Sequence, residues 1–170
     1  ARAVRASASV VLRSRAATTR EVIEALGLPA RPVKVELDGT TYAVTLRDAS
    51  SVHDINAADE RTLRAYFAAL DLGQTASRTL ADQVLDWIDD DAVTRTFGIE
   101  HEGYARLGVT PRNGPMASID ELRFLPAMTD GVYRAMQRDF ATAARTVLHA
   151  GSASRPALLA LPGMDPAIAD

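Results

Sequence analysis

The stretch from Leu80 to Asp91, LADQVLDWIDDD, places two opposing demands on one helix. Its apolar residues recur at i, i+4, i+7 and i+8, which is the spacing of a buried helical face. A second line of aspartates runs along the same helix and continues to its end: Asp82, Asp86, Asp89, Asp90 and Asp91. Carboxylates are unfavourable at the carbonyl end of a helix. The segment therefore predicts an amphipathic helix whose acidic end needs arginine, backbone N–H groups or a metal cation beside it.

The composition narrows the class of protein. A chain of 170 residues with 47% hydrophobic and 24% charged residues is typical of one globular domain. Its net charge of −3 argues against general nucleic-acid binding, and the absence of cysteine excludes thiolate metal sites. No apolar run reaches the roughly 20 residues that span a bilayer. Because the sequence starts at Ala1 and not at Met, we expect that further residues precede it.

The first half of the chain predicts a helix followed by a β-hairpin. Residues 1–27 are rich in Ala, Arg and Ser and predict a helix that ends at Gly27. Apolar and polar residues then alternate from Val33 to Leu46 on both sides of Asp38-Gly39, a typical two-residue turn. Since two strands alone are marginally stable in water, we expect the N-terminal helix to cover their apolar face.

Residues 56–90 predict a helical hairpin. Asn56 is expected to cap its first helix, with Leu63, Phe67 and Leu70 on the buried side and Gly73 at the end. Further along, Ser118-Ile119-Asp120-Glu121 is a capping box, and a helix is expected to begin at Thr129 or Asp130. A strand at Thr146–Leu148 and a short helix at Pro156–Leu161 complete the prediction.

Residues 92–117 lack periodicity and contain several glycines and prolines. A loop this long is usually functional or held down by contacts. It carries the donors Glu100, His101, Glu102 and Asn113, and hard oxygen donors in an irregular loop suit Ca²⁺. The alternative is that arginines neutralise the acids, and composition alone favours them: Arg95, Arg106, Arg112 and Arg123.

Catalytic and DNA-binding patterns are weak. His53, His101 and His149 form no known nucleophile or zinc arrangement, so we expect a protein that is not an enzyme. Leu161-Pro162-Gly163-Met164 resembles half of a helix-hairpin-helix, but Asp165 follows it and would repel phosphate. Two alternatives remain at this point, a helix-hairpin-helix DNA-binding module for DNA uptake and a metal-dependent hydrolase.

The order of motifs resembles a known family. A hairpin is followed by I-N-A-A, by L-x-x-x-V-L-D-W-I-D-x-D, by G-I-E-H-E-G-Y, by N-G-P-M-A-S-I-D-E-L-R, and finally by A-L-L-A-L-P-G-M. From about Val33 to Ile168 this resembles general secretion pathway protein K, the large minor pseudopilin of type II secretion systems. The D-W-x-D-x-D and S-x-x-E-L-R motifs are its most specific parts.

The resemblance implies an α+β fold. A pilin-like N-terminal helix would lie on a small antiparallel sheet, with a large inserted α-helical domain. Residues 1–54 and 146–170 would form the discontinuous pilin-like core, and residues 55–145 the insert. It also implies a protein without catalytic activity at the tip of the pseudopilus, where it helps to initiate or cap assembly for protein export across the outer membrane.

The resemblance further implies partners, a location and a cofactor. The minor pseudopilins I and J would be the partners, bound through the N-terminal helix with Val4, Val11 and Leu12. The protein would be the periplasmic part of an inner-membrane-anchored chain in a Gram-negative bacterium, with its apolar anchor preceding Ala1. Family members can hold Ca²⁺ near a loop that corresponds to Gly98–Tyr104. The candidate calcium ligands are Asp89, Asp91, Glu100 and Glu102.

Overall fold

The computed structural model describes residues 33–37, 39–44, 49–144 and 148–169. The predicted N-terminal helix lies outside these residues, as does most of the strand predicted at Thr146–Leu148. The same holds for the proposed partner-binding residues Val4, Val11 and Leu12.

The chain divides into two compact units, Ala1–Asp48 and Ala49–Asp170. This division does not test the predicted arrangement of a discontinuous core (residues 1–54 and 146–170) with an insert (residues 55–145), which stays a prediction. None of the helices within the described ranges is both long and apolar enough to span a bilayer.

The first unit contains the predicted hairpin. Strands β1 (Val33–Leu37) and β2 (Thr40–Val44) pair antiparallel, with Leu37 opposite Thr40. Gly39 in the turn has a φ of 74°, a left-handed conformation that glycine adopts without the steric cost of a Cβ. The hairpin prediction is confirmed.

The second unit is mainly helical. Two 3₁₀ turns, Ala49–Ser51 and Ile55–Ala57, precede the first two helices. A short third helix lies within residues 92–117, which were expected to be irregular throughout. Another 3₁₀ turn spans Ile119–Phe124, and the last two helices come after it. In chain order the helices are α1 (Glu60–Ala69), α2 (Gln74–Ile88), α3 (His101–Arg106), α4 (Asp130–Asp139) and α5 (Arg155–Leu159).

Helices α1 and α2 form the predicted hairpin, but two boundary predictions are wrong. Asp59, not Asn56, caps α1, because its carboxylate accepts a hydrogen bond of 2.8 Å from the Thr62 N–H. Hydrogen bonding from the Thr62 side chain, and then from this N–H group, lowers the pKa of Asp59. Helix α1 ends at Ala69, and Gly73 is the N-cap of α2.

A short parallel pair joins distant parts of the second unit. Strand β3 (His53–Asp54) pairs with β4 (Phe140–Ala141), His53 opposite Phe140. Because only antiparallel pairing was expected, this pair corrects the predicted sheet. The C-terminal residues reach the same region, since the Nε2 atom of His53 lies 2.7 Å from the carbonyl oxygen of Ala157 in α5.

Aromatic side chains in the core connect several elements of the second unit. Tyr66 of α1 contacts Phe140 edge-on at 4.9 Å between ring centroids, and Trp87 of α2 contacts Tyr104 of α3 in the same way at 5.0 Å. All four side chains are at most 2% exposed. Their rings tie α1, α2, α3 and β4 together, so the predicted apolar face of α2 is buried as expected.

The predicted capping box is confirmed, and its glutamate has a second role. Ser118 and Glu121 exchange hydrogen bonds with each other's backbone. The Glu121 carboxylate also accepts hydrogen bonds from Trp87 Nε1 at 3.1 Å and from Arg112 at 3.3 Å. Burial alone would raise the pKa of Glu121, but these hydrogen bonds hold that pKa below its ordinary value of 4.5.

The lowered pKa of Glu121 predicts a specific pH dependence. A depressed carboxyl pKa contributes stability above the unfolded-state value, and this contribution is lost as pH falls through the folded-state value. We expect Glu121→Gln to lower the free energy of unfolding by about 1–2 kcal/mol at pH 7. The difference from wild type should shrink steadily below pH 4.5 in urea titrations. A difference independent of pH would contradict the prediction.

Candidate cation site at the end of helix α2

The aspartates of α2 hold the following segment against the helix. The Asp82 carboxylate accepts a hydrogen bond of 3.0 Å from the Phe97 N–H. Asp86, one turn later, accepts one of 3.2 Å from the Arg95 N–H and one of 2.9 Å from the Arg95 guanidinium. Backbone N–H groups and one arginine thus neutralise this part of the acidic line, two of the three means that the sequence left open.

Gly98 lets the backbone lie directly on Asp86. A Cβ atom at Gly98 would stand 1.9 Å from an Asp86 carboxylate oxygen and 2.6 Å from its carboxyl carbon. The Asp86 side chain is fully buried, so the carboxylate has no open space to move into. Only glycine fits at this position without displacing the ion pair between Asp86 and Arg95.

Three other carboxylates gather where α2 ends. Asp89 is the C-cap of α2, Asp91 follows it, and Glu100 occupies the N-cap position of α3 without making a side-chain cap. Oxygens from these three side chains all lie within 4.8 Å of one another. Residues from two separated segments thus form one acidic cluster, which we call the acidic triad.

Two oxygens of the acidic triad are buried without a partner. Asp89 Oδ1 and Glu100 Oε1 receive no hydrogen bond, and Glu100 is only 9% exposed. Buried polar atoms normally have partners, and an unpaired buried charge is costly. A proton or a cation would satisfy these two oxygens.

A third segment reaches the same helix end. Asn113 donates from Nδ2 to the carbonyl oxygen of Asp91 at 3.0 Å, which fixes the orientation of its amide. The amide oxygen, Oδ1, is buried and has no partner. The hydroxyl of Tyr104 is likewise buried and unpartnered.

Burial and neighbouring negative charges both disfavour the ionised carboxylates near the end of α2. Burial raises the pKa of Glu100, and the negative charges of Asp86, Asp89 and Asp91 raise it further. Burial also raises the pKa of Asp86, although its hydrogen bonds from Arg95 oppose that change. A site that penalises its own carboxylate charges favours binding of a cation.

The structure brings together Asp89, Asp91 and Glu100, three of the four candidate calcium ligands. Glu102 is exposed in the first turn of α3 and is not part of the acidic triad. Of the expected arginines, Arg95 pairs with Asp86 and Asp89, whereas Arg112 pairs with Glu121.

The residues present fit a hard divalent cation. Carboxylate and amide oxygens are the ligands that Ca²⁺ prefers, and it accepts them from flexible, irregular segments. His101 is exposed and not part of the acidic triad, so all the candidate donors are oxygen atoms. Sequence reasoning missed the contact between Gly98 and Asp86 and the buried Tyr104 hydroxyl, because neither leaves a periodic signal.

Comparison with known proteins identifies the family. The model of a family described as type II secretion system protein K matches residues 42–144, which is more than half of the chain. The chain belongs to the protein K family of type II secretion systems. The resemblance expected from the motifs is therefore confirmed.

A solved structure has a similar fold. It is the crystal structure of the GspK–GspI–GspJ complex from the type 2 secretion system of enterotoxigenic Escherichia coli, matched with a TM-score of 0.63 and 21% identity. The match covers 92% of this chain and 63% of the other, so the chain spans less than two thirds of that relative. A search of curated proteins finds no match.

Membership in the protein K family sets the broad function. Protein K is a minor pseudopilin, a structural component of the pseudopilus, and its family is periplasmic and membrane-associated. The prediction that the chain is not an enzyme is confirmed by this assignment. Neither the DNA-binding module nor the metal-dependent hydrolase receives support from it.

Proposed function

We propose that this protein K family member sits at the tip of the pseudopilus and helps to initiate or cap its assembly. The observation that carries the proposal is the family match over residues 42–144. This range includes helices α1 to α4. A large helical unit differs from a slender pilin subunit, because it adds bulk where the next subunit would stack. Such a unit would end the filament, and its side that faces the filament would remain available to partners.

The partners proposed for this chain are the minor pseudopilins I and J. The similar structure is named as a complex of GspK with GspI and GspJ, which supports this choice. The N-terminal residues Val4, Val11 and Leu12 would pack against partner helices, since apolar side chains at helical spacing bury well in such contacts. An apolar segment preceding Ala1 would anchor the protein in the inner membrane of a Gram-negative bacterium.

Assembly with partners tests the tip function. Purified chain mixed with minor pseudopilins I and J is expected to co-elute with them on size exclusion. Replacing Val11 and Leu12 together by aspartate should abolish co-elution, because charges do not bury in a helix contact. The matched control is Leu107→Asp, which adds a charge at a residue that is 55% exposed in the helical unit. No complex with wild-type protein, with the upstream segment restored, would refute the proposal.

We further propose that Ca²⁺ binds at the acidic triad. Asp89, Asp91 and Glu100 would hold the ion, with the Asn113 amide oxygen as a neutral ligand. A bound calcium ion supplies two positive charges and accepts six to eight oxygens. The chain's own part is to bring residues from the end of α2, the start of α3 and the loop at Asn113 to one place, so the ion would fasten the irregular segment to the helices.

The effect of Glu100→Gln on the melting temperature is expected to change sign between chelator and calcium. In chelator, Glu100→Gln removes an unpaired buried charge and should raise the melting temperature by about 3 °C, or roughly 1 kcal/mol. In saturating Ca²⁺ the variant should melt below wild type, because at least tenfold weaker binding removes about 1.4 kcal/mol of stabilisation.

Glu102→Gln is the matched control for this experiment. It makes the same chemical change two residues away, at an exposed side chain that is not part of the acidic triad. Its melting temperature should follow wild type in both buffers. If calcium raises the melting temperatures of wild type and Glu100→Gln equally, the proposed calcium site is wrong.

A further inference from the structure

Asp89 divides its two oxygens between two kinds of environment. Its Oδ2 atom lies 2.6 Å from the guanidinium of Arg95, whereas its Oδ1 atom is buried and has no partner. The Asp89 side chain also belongs to the acidic triad, with Asp91 and Glu100. One carboxylate thus joins the Arg95 guanidinium to the acidic triad.

Arg95 is also held by a residue outside the acidic triad. Its backbone N–H and its guanidinium both bind Asp86, at 3.2 Å and 2.9 Å, and the Asp86 side chain is fully buried. Gly98 packs directly against the same carboxylate. These contacts with Asp86 would hold the arginine even if Asp89 turned toward a bound ion.

The negative charges near the end of α2 outnumber the positive ones. Asp86, Asp89, Asp91 and Glu100 carry up to four negative charges, and the Arg95 guanidinium supplies one positive charge to the first two. Two cations that share one carboxylate repel each other, so each lowers the affinity of the site for the other.

We propose that Arg95 is the permanent cation of this helix end. It holds Asp89 through one oxygen, leaves the other for an exchangeable divalent ion, and so keeps the helical unit folded when that ion is absent. It also limits how tightly the ion binds. This inference rests on the calcium site proposed above.

Arg95→Gln tests the inference, with Arg106→Gln as the matched control. Arg106 is an exposed arginine of α3, so both variants lose one positive charge from the same part of the chain. Melting is followed by circular dichroism in chelator and in saturating Ca²⁺, and calcium affinity by calorimetry. In chelator, Arg95→Gln should melt about 5–10 °C below Arg106→Gln, since it leaves Asp86 buried and unpaired.

Calcium should then compensate for the lost arginine. We expect Ca²⁺ to raise the melting temperature of Arg95→Gln about twice as far as that of Arg106→Gln, and to bind roughly fivefold more tightly. An equal or smaller rise, or weaker binding, would overturn the role of Arg95. If Arg95→Gln does not fold in either buffer, Arg95→Lys is used, which keeps the charge on a differently shaped side chain. It should melt below wild type in chelator but bind calcium as tightly as wild type, and clearly tighter binding would overturn the role of the charge.

Wild-type protein separates the two possible failures. If it binds no calcium in calorimetry, the calcium site is refuted and the proposed role of Arg95 is refuted with it. If wild type binds calcium while the two arginine variants gain equally from it, the site stands and only the role of Arg95 is refuted.

Discussion

Replacing Gly98 with alanine is expected to lower the free energy of unfolding by about 3–4 kcal/mol. The new methyl group would stand 1.9 Å from an oxygen of Asp86, which is buried and fixed by Arg95. Either the backbone of the segment must move away or the buried ion pair must break, and breaking such a pair alone costs about 3–5 kcal/mol. Urea unfolding at pH 7 measures the change.

Gly114→Ala is the control for the Gly98 experiment. It adds the same methyl group in the same irregular segment, at a position with no atom within 4 Å of the new Cβ. Its stability should remain within about 0.5 kcal/mol of wild type. A similar loss in both variants would show that glycine flexibility, and not contact with Asp86, sets the cost.

Asn56→Ala is expected to cost about 3 kcal/mol. The Asn56 amide accepts a hydrogen bond of 2.8 Å from the Met116 N–H and donates to the carbonyl oxygens of Met116 and Thr142, at 3.1 Å and 3.4 Å. Met116 is only 2% exposed, so its backbone groups would lose partners that water does not readily replace. Thermal and urea unfolding both report the loss.

Asp59→Ala provides the comparison for the Asn56 experiment. It removes the actual N-cap of α1, a change that costs about 1 kcal/mol in most helices. The Asn56 variant should therefore be the less stable of the two. The opposite order would mean that the amide contacts with Met116 and Thr142 contribute little.

Local signals in the sequence predicted local structure well. The alternation around Asp38-Gly39 gave the hairpin, and the spacing of Leu80, Val84 and Trp87 gave the buried face of α2. Capping chemistry was also informative at Ser118, because the capping box joins it to Glu121, only three residues away. Such features depend on side chains that are close in the sequence.

Contacts between distant residues were not predictable in the same way. Asn56 has the composition of a helix cap, yet its amide binds backbone 60 and 86 positions away, because the fold brings those segments beside it. The family resemblance suggested Asp89, Asp91 and Glu100 together as calcium ligands. Composition favoured arginine over calcium as the neutralising group, and Arg95 does pair with Asp86 and Asp89, whereas the calcium site stays a prediction.

The parallel pair of β3 and β4 has a mechanical consequence. Force applied to the chain before His53 and after Ala141 would pull the two strands along each other, since they run in the same direction. The hydrogen bonds between them, with the Asn56 amide beside them, would then carry the load together. The helices between the strands would be shielded from tension, so this pair would set the force at which the helical unit begins to unfold.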